Sequence, residues 1–438
     1  MTWSKVLWGS LAAVAAFALV MGAAGAVFAP GDLDPSFSED GRATTNVHGA
    51  GNFAGRVAVD AVGRIVVVGR ADRGDLDTRF AVVRYTGDGS LDSSFGGDGR
   101  VVTDVGAGGA VAVAIQPDGK IVVAGGSQSR EDAPGRFVVL RYQQDGSLDE
   151  TFSGDGKVTA DFTGGGDGAR GVVLQGGGKI VAVGYAGSSR QRFAVARFTR
   201  HGRLDTTFSG DGKLMTEFSF LAGATDVAIQ LDGRLVVVGM VPEGQFPPEE
   251  SANFFAARYT TAGRLDRTFS TDGKVSTDFS SREDRAYGLA IQGDGKIVVV
   301  GGSKPAGGPN DLDFALARYN ADGSLDSSFG AAGRIISDLE PANARDEQRA
   351  HGVVIQADGK IVAAGHWFSG DGFTLVRYGS DGSFDTTFGG DGIVTSDFGA
   401  LGQGYLTGVA LQSDGRIVAA GDVGGLVMRF AVARYLGD

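Results

Sequence analysis

Three short words recur seven times along this chain, and that recurrence limits the fold more than any single residue does. The first is Leu-Asp-x-Ser/Thr-Phe, with its aspartate at Asp34, Asp92, Asp149, Asp205, Asp266, Asp326 and Asp385. Six copies begin with leucine and the last with Phe384, and the spacings are 58, 57, 56, 61, 60 and 59 residues. The second word, Gln116-Pro117-Asp118-Gly119-Lys120-Ile121-Val122-Val123-Ala124-Gly125, returns near Gly69, Gly184, Gly239, Gly301, Gly365 and Gly421. The third, Phe-x-x-x-Arg-Tyr, has its arginine at Arg84, Arg141, Arg197, Arg258, Arg318, Arg377 and Arg434, and only Phe198 replaces the tyrosine. A fixed period of about 58 residues means one supersecondary unit stacked on copies of itself. Seven units fill the chain from Leu33 onward, so residues 30–438 read as a single domain.

Within a unit the pattern is β throughout. Gly99 to Asp104 forms one β-branched run and Val111 to Gln116 a second. An Asp-Gly turn leads into a third run, Lys120 to Gly125, and Phe137 to Tyr142 makes the fourth. The Pro117-Asp118-Gly119 turn suits a type I turn followed by a left-handed glycine. The apolar runs are nearly continuous rather than alternating, which a sheet covered on both faces explains. Four short strands per unit, stacked face to face, give an all-β, seven-bladed β-propeller with four antiparallel strands per blade. A linear array or two smaller barrels would leave apolar sheet faces bare, and neither end of the array looks like a polar cap. A ring closes where repeat seven ends, at Arg434-Tyr435, and repeat one begins, at Leu33-Asp34.

Composition agrees. The 74 glycines exclude a helix-rich fold, because interior glycine costs a helix about 1 kcal/mol relative to alanine. Four glycine positions recur in every repeat, each expected to mark a turn or a strand end. With no cysteine, disulfides and thiolate metal sites are impossible. A net charge of −12 argues against a nucleic-acid partner held through its phosphates.

Residues 1–29 stand apart. Lys5 is their only charge, and Val6 to Val27 is almost wholly apolar, ending in a small-residue cleavage pattern, Ala24-Gly25-Ala26. The segment reads as a secretory signal peptide or, if retained, as an amino-terminal membrane anchor, since it reaches the ~20 residues of a span. Either way the remainder is expected to be exported, to the extracellular space or the cell surface, with the membrane touched only through this segment.

Taken together, the three words resemble the delta-60 repeat, a bacterial unit regarded as a β-propeller blade. The resemblance covers everything from Leu33 onward. It implies an exported repeat protein, often part of a larger surface protein. It supplies no catalytic residues to carry over.

The seven aspartates and seven arginines are expected to be structural. Each aspartate would cap a turn by accepting backbone N–H groups while its phenylalanine buries between blades, and each arginine could pair with an aspartate within or between blades. Calcium is the alternative for acids grouped as Asp88, Asp92 and Asp98, since hard oxygen ligands in glycine-rich loops suit it. The set is irregular, because the Asp88 position becomes Pro30, His201 and Ala262 and the Asp98 position becomes Ala332. No other cofactor is implied.

Of the four histidines, His351 and His366 break the repeat pattern, and Trp367 follows. With a type I turn plus left-handed glycine in the hairpin, the two histidines are expected diagonally across the strands and on opposite faces. With Asp346 and Glu347 nearby they are either a small metal or active site or incidental residues of a polar loop.

The Asp-Gly hairpin and the Leu-Asp connection hardly vary, and antiparallel order puts both at one end of the blades. The loops at the other end differ in every repeat, as in Ser127 to Gly135, Val241 to Ala252, Lys304 to Asp311 and Glu340 to Arg349. Variable loops on a rigid scaffold are where binding sits, so a protein or polymer partner is expected at that end, with Phe246, Trp367 and Tyr405 as contacts. The leading expectation is a non-enzymatic interaction scaffold. The alternative is a hydrolase or lyase acting on an extracellular polymer, with its chemistry in the central channel or around His351 and His366.

Overall fold

A computed structural model describes residues 28–438, apart from 50, 73–77, 129–134, 189–190, 219–221, 241–252, 280–282, 305–311, 340–346 and 368–371. The expected signal or anchor therefore lies outside the described residues, but for Phe28 and Ala29.

The first strand, β1 (Arg42–Thr45), belongs to the last blade. Blade one is β2 (Gly51–Val59), β3 (Ile65–Asp72), β4 (Thr78–Tyr85) and β5 (Arg100–Thr103). Blade two is β6 (Ala107–Ile115), β7 (Ile121–Gln128), β8 (Arg136–Tyr142) and β9 (Lys157–Ala160). Blade three is β10 (Gly168–Gln175), β11 (Lys179–Ala186), β12 (Arg192–Phe198) and β13 (Lys213–Thr216). Blade four is β14 (Gly223–Ile229), β15 (Leu235–Met240), β16 (Phe254–Tyr259) and β17 (Lys274–Thr277). Blade five is β18 (Asp284–Ile291), β19 (Ile297–Ser303), β20 (Asp313–Tyr319) and β21 (Arg334–Ser337). Blade six is β22 (Gln348–Ile355), β23 (Ile361–Trp367), β24 (Gly372–Tyr378) and β25 (Ile393–Asp397). Blade seven is β26 (Gly404–Leu411), β27 (Ile417–Val423) and β28 (Arg429–Tyr435), completed by β1.

The chain is thus a seven-bladed β-propeller of four-stranded antiparallel sheets, with only two short 3-10 turns among the described residues, Gly176–Gly178 and Gly399–Leu401. The first strand of each blade packs against the first strands of its two neighbours, so these seven strands surround the axis. The two central strands of a blade are buried on both faces, as in Ile65 to Gly69 and Phe80 to Tyr85, which is why their sequences read as unbroken apolar runs. The outermost strands are less buried, ending on one buried residue, as in β5 at Thr103.

Repeat and blade are out of phase by one strand. The strand that follows each Leu-Asp word is the outermost strand of the preceding sheet, not the first of a new one. Ring closure follows from that offset. Instead of two ends abutting, β1 pairs antiparallel with β28, Arg42 against Ala433 and Thr45 against Phe430, and Leu33 bridges to Tyr435. The last sheet is stitched from both ends of the array.

The hairpin turns are built as their sequence suggests. In blade six the Gly359 N–H reaches Gln356 O at 2.9 Å, and Gly359 takes a φ of +90°. The recurrent glycine of the third run is a different matter. It does not end a strand: Gly69 lies inside β3, and Gly365 inside β23. A Cβ on either would stand 2.1 Å from Phe53 O or 1.8 Å from Arg349 O. That close approach comes from a β-bulge in the facing first strand, present at the same place in all seven blades.

Candidate functional site

At the constant end, repeated chemistry builds seven clamps. Every arginine of the Phe-x-x-x-Arg word sets its Nε 2.7–2.9 Å from the aspartate of a Leu-Asp word. Six pairs join the end of one repeat to the start of the next; the seventh, Arg434 with Asp34, joins the two ends of the chain. The other side of each guanidinium donates to a backbone carbonyl of the next blade, as Arg84 does to Gln144 and Arg434 to Gly87. Its plane lies over the phenylalanine of the Leu-Asp word, Arg84 over Phe95 at 4.6 Å. Each aspartate also accepts the N–H and hydroxyl of the residue two further on, as Asp149 does from Thr151 at 3.1 and 2.7 Å. Burial pushes the Asp149 carboxyl up, but the Thr151 hydroxyl and the cations Lys120 and Arg141 outweigh it and hold it at about 2. Asp88 and Asp98 accept the N–H groups of Ser90 and Arg100, both at 3.0 Å. Among the described residues no group of three or more His, Asp or Glu is placed to hold a metal ion.

Tyrosines supply a second link between blades. The hydroxyls of Tyr85, Tyr142 and Tyr259 each donate to a threonine on the outermost strand of the preceding blade, Thr45, Thr103 and Thr216, at 2.7 Å. At the one repeat with phenylalanine, Phe198, the position of that threonine is Ala160, so donor and acceptor are absent together.

The bulges set the axis. They turn one residue out of the ladder in six blades, Val111, Arg170, Thr225, Tyr287, His351 and Thr407, and two in blade one, Gly55 and Arg56. Arg56 crosses the ring from blade one and donates to Tyr287 O of blade five at 3.1 Å. Its guanidinium lies 3.5 Å from Asp226 of blade four. Burial raises the Asp226 carboxyl, partly countered by Arg56 and by N–H donation from Leu289 and Val227. The channel is therefore crossed by a side chain at this level.

Toward the variable end the bulge brings four rings into one series across blades five, six and seven. Tyr287 lies 4.6 Å from His351, His351 stacks on His366 at 5.0 Å and 9°, and His366 meets Tyr405 edge-on at 5.1 Å. The two histidines share a face, contrary to the expectation from the hairpin register. The turn itself conforms, but the bulge between Ala350 and Gly352 shifts the register, so that Arg349 rather than Ala350 faces His366. Burial, the neighbouring His366 and the cations Arg349 and Arg56 drive His351 well below its ordinary value. Burial also lowers His366 to about 4, against an opposing hydrogen bond with Leu406 O at 3.3 Å. His351 Nε2 is closed off from solvent and has no hydrogen-bond partner among the described residues. In the next slot, burial raises Asp422 to about 7 despite the Ala54 N–H and the charge of Arg70.

Phe246 and the side chain of Trp367 lie outside the described residues. Tyr405 lies in the ring series and donates to Gln403 at 2.8 Å. The residues missed from sequence are Arg56, Asp226 and Asp422. Their signal was departure from the other six repeats at an aligned position, visible only once the bulge fixes the alignment. Two surface clefts lie elsewhere, one of about 620 Å3 lined by Arg264, Leu265, Arg267, Asp272 and Lys274, the other along the seam beside Arg42 and Asp397.

Five segments, residues 63–95, 116–152, 175–208, 292–329 and 356–388, match the family profile described as a β-propeller domain of unknown function, DUF5122. They support a β-propeller repeat family. No curated protein matches the chain. Among solved structures, a catalytically inactive virginiamycin B lyase from Staphylococcus aureus is 10% identical, with a TM-score of 0.50, covering 90% of this chain and 98% of that one. The polysaccharide lyase Uly1 is 11% identical, with a TM-score of 0.48 and coverage of 87% and 89%. The β-propeller domain of the Trilobed protease from Pyrococcus furiosus is 13% identical, with a TM-score of 0.45 and coverage of 88% and 94%. At such identities the likeness is one of fold alone.

Proposed function

We propose that this chain is an exported, non-enzymatic propeller scaffold of the delta-60 type that holds a protein or polymer ligand at its variable-loop end. One observation carries the reading: the arginine repeated seven times bonds in every copy to a backbone carbonyl of the next blade, while the residues beside the bulges differ from blade to blade. A rigid frame with one diversified face is a binding architecture. Export rests on the apolar segment ahead of the domain, and sequencing the amino terminus of protein recovered outside the cell tests it.

A second reading, a hydrolase or lyase on an extracellular polymer, is favoured by the shifted groups gathered at the axis, His351, His366, Asp226 and Asp422. Against it, His351 Nε2 is sealed and Arg56 crosses the channel beside it. Incubation with a panel of extracellular polysaccharides, read as new reducing ends and as absorbance of unsaturated products, separates the two. The scaffold gives no turnover. Turnover abolished by His351→Ala would establish the enzyme.

A further inference from the structure

One step beyond the bulge toward the variable end, each blade carries a cross-strand pair. In blades five, six and seven the pairs are Arg285 with Gly302, Arg349 with His366 and Tyr405 with Asp422. In blade one the pair is Phe53 with Arg70. Blades two, three and four are low on this side, with Gly109 and Gly126, Gly168 and Tyr185, and Gly223 and Met240. The glycines decide how the neighbouring side chains lie. A Cβ on Gly109 would stand 2.9 Å from Arg70 Cβ, and one on Gly168 would stand 2.8 Å from Tyr185 Oη. With no side chain there, Arg70 and Tyr185 lie down against backbone.

A guanidinium is laid over an aromatic ring at one flank of the low sector, in blade one, and again within it, in blade three. Arg70 lies over Phe53 at 4.2 Å, and Arg170 over Tyr185 at 5.4 Å. Both arginines are exposed. Among the described residues Arg170 has no carboxylate within ion-pair distance, while Arg70 has Asp72 at 3.7 Å. Stacking orients a guanidinium plane while leaving its N–H edge free, the form that binds a planar carboxylate through two hydrogen bonds. The opposite wall is the Tyr287–His351–His366–Tyr405 series, in which the half-buried Tyr287 has a hydroxyl with no hydrogen-bond partner among the described residues.

We propose that the variable-end mouth of the channel binds a carboxylated oligosaccharide, with carboxylates on Arg170 and Arg70 and a sugar face against Tyr185 or Tyr287. The inference rests on the scaffold reading and deepens it by naming the ligand class. A uronate residue joins a stiff ring, an apolar face and a planar carboxylate, matching rings and guanidiniums set side by side. An acidic peptide carries its carboxylates on flexible stems and has no such face. On a chain of net charge −12, a carboxylated ligand is held only where cations are gathered, so binding weakens as salt rises.

Calorimetric titration of the folded chain with trigalacturonate, its methyl ester and a glutamate trimer tests the site. Trigalacturonate is expected to bind, and the ester and the peptide at least about tenfold more weakly, the loss of one charge-assisted pair. Arg170→Gln is expected to lose the same factor and Arg170→Lys to recover part of it, while Arg264→Gln, at the constant end, binds as the parent does. An unchanged melting temperature for Arg170→Gln shows that the loss is local. No binding of trigalacturonate, or equal binding by Arg170→Gln, overturns the proposal. Tighter binding of the peptide also overturns it but leaves the variable-end scaffold standing; loss of peptide binding through Arg264→Gln instead would sink both.

Discussion

A single guanidinium does four things in each clamp. Arg258 pairs with Asp266 at 2.8 Å, donates to Ala321 O of the next blade and to Thr268 Oγ1, and lies over Phe269. Both charges are nearly buried, so removing one leaves the other without compensation. Arg258→Ala is expected to destabilise by about 2–4 kcal/mol, toward the low side of such losses because Arg234 still faces Asp266. Denaturant unfolding measures it, and a midpoint equal to the parent's would refute the clamp. The histidines act in the opposite sense. His366 is lowered from 6.5 to about 4, so the fold favours its neutral form. Its stabilisation is complete above pH 6.5 and is lost as pH falls toward 4, by up to roughly 3 kcal/mol. His366→Gln should flatten stability over that window; an unaltered pH slope would assign the acid sensitivity elsewhere. The clamp partners were legible in sequence because seven copies announce a pair. The histidine stack was not, because single residues at unrepeated positions carry no register.

The first strand of each blade carries the most consequential irregularity, a bulge that no run of β-branched residues declares. Its trace in the sequence was the glycine inside the third run, which from spacing alone reads as a strand end. Only the facing backbone, 1.8–2.1 Å from a notional Cβ, shows why alanine would not fit at Gly69 or Gly365. The first run was legible as a strand, but not which sheet it joins, since pairing is a tertiary choice that local propensity does not encode. The tyrosine link gives a test at this scale. Phe198→Tyr alone buries a hydroxyl against Ala160 and is expected to cost about 1–3 kcal/mol. Adding Ala160→Thr should recover most of it, as the linked positions of the other blades do. A double-mutant cycle with coupling near zero would show that the interblade hydrogen bond is irrelevant to stability.

At the scale of the whole molecule, closure holds the ring. Strand β1 covers the edge of β28, brings Asp34 to Arg434 and presents Thr45 to Tyr85. A chain begun after Thr45 loses all three and leaves a buried guanidinium unpaired. It is expected to be at least about 3 kcal/mol less stable and to melt over a broader range, read by calorimetry. Retention of the parent's sharp transition would show that the other six interfaces suffice. Seven-fold architecture was fully legible in the spacing of three words, because each blade touches only its neighbours and copies can be counted. What the axis holds was not, because it is decided by the residues at which the copies disagree.

The one-strand offset between repeat and blade reaches beyond this molecule's own stability. Each inherited copy hands its leading strand to the sheet upstream and borrows one from the copy downstream. A duplication or loss of one full unit by unequal recombination therefore leaves every sheet four strands wide wherever the break falls, and the two ends still meet in a shared blade. The array can change its blade number in a single genetic step without inventing a new junction, and the mouth of the channel widens or narrows with it.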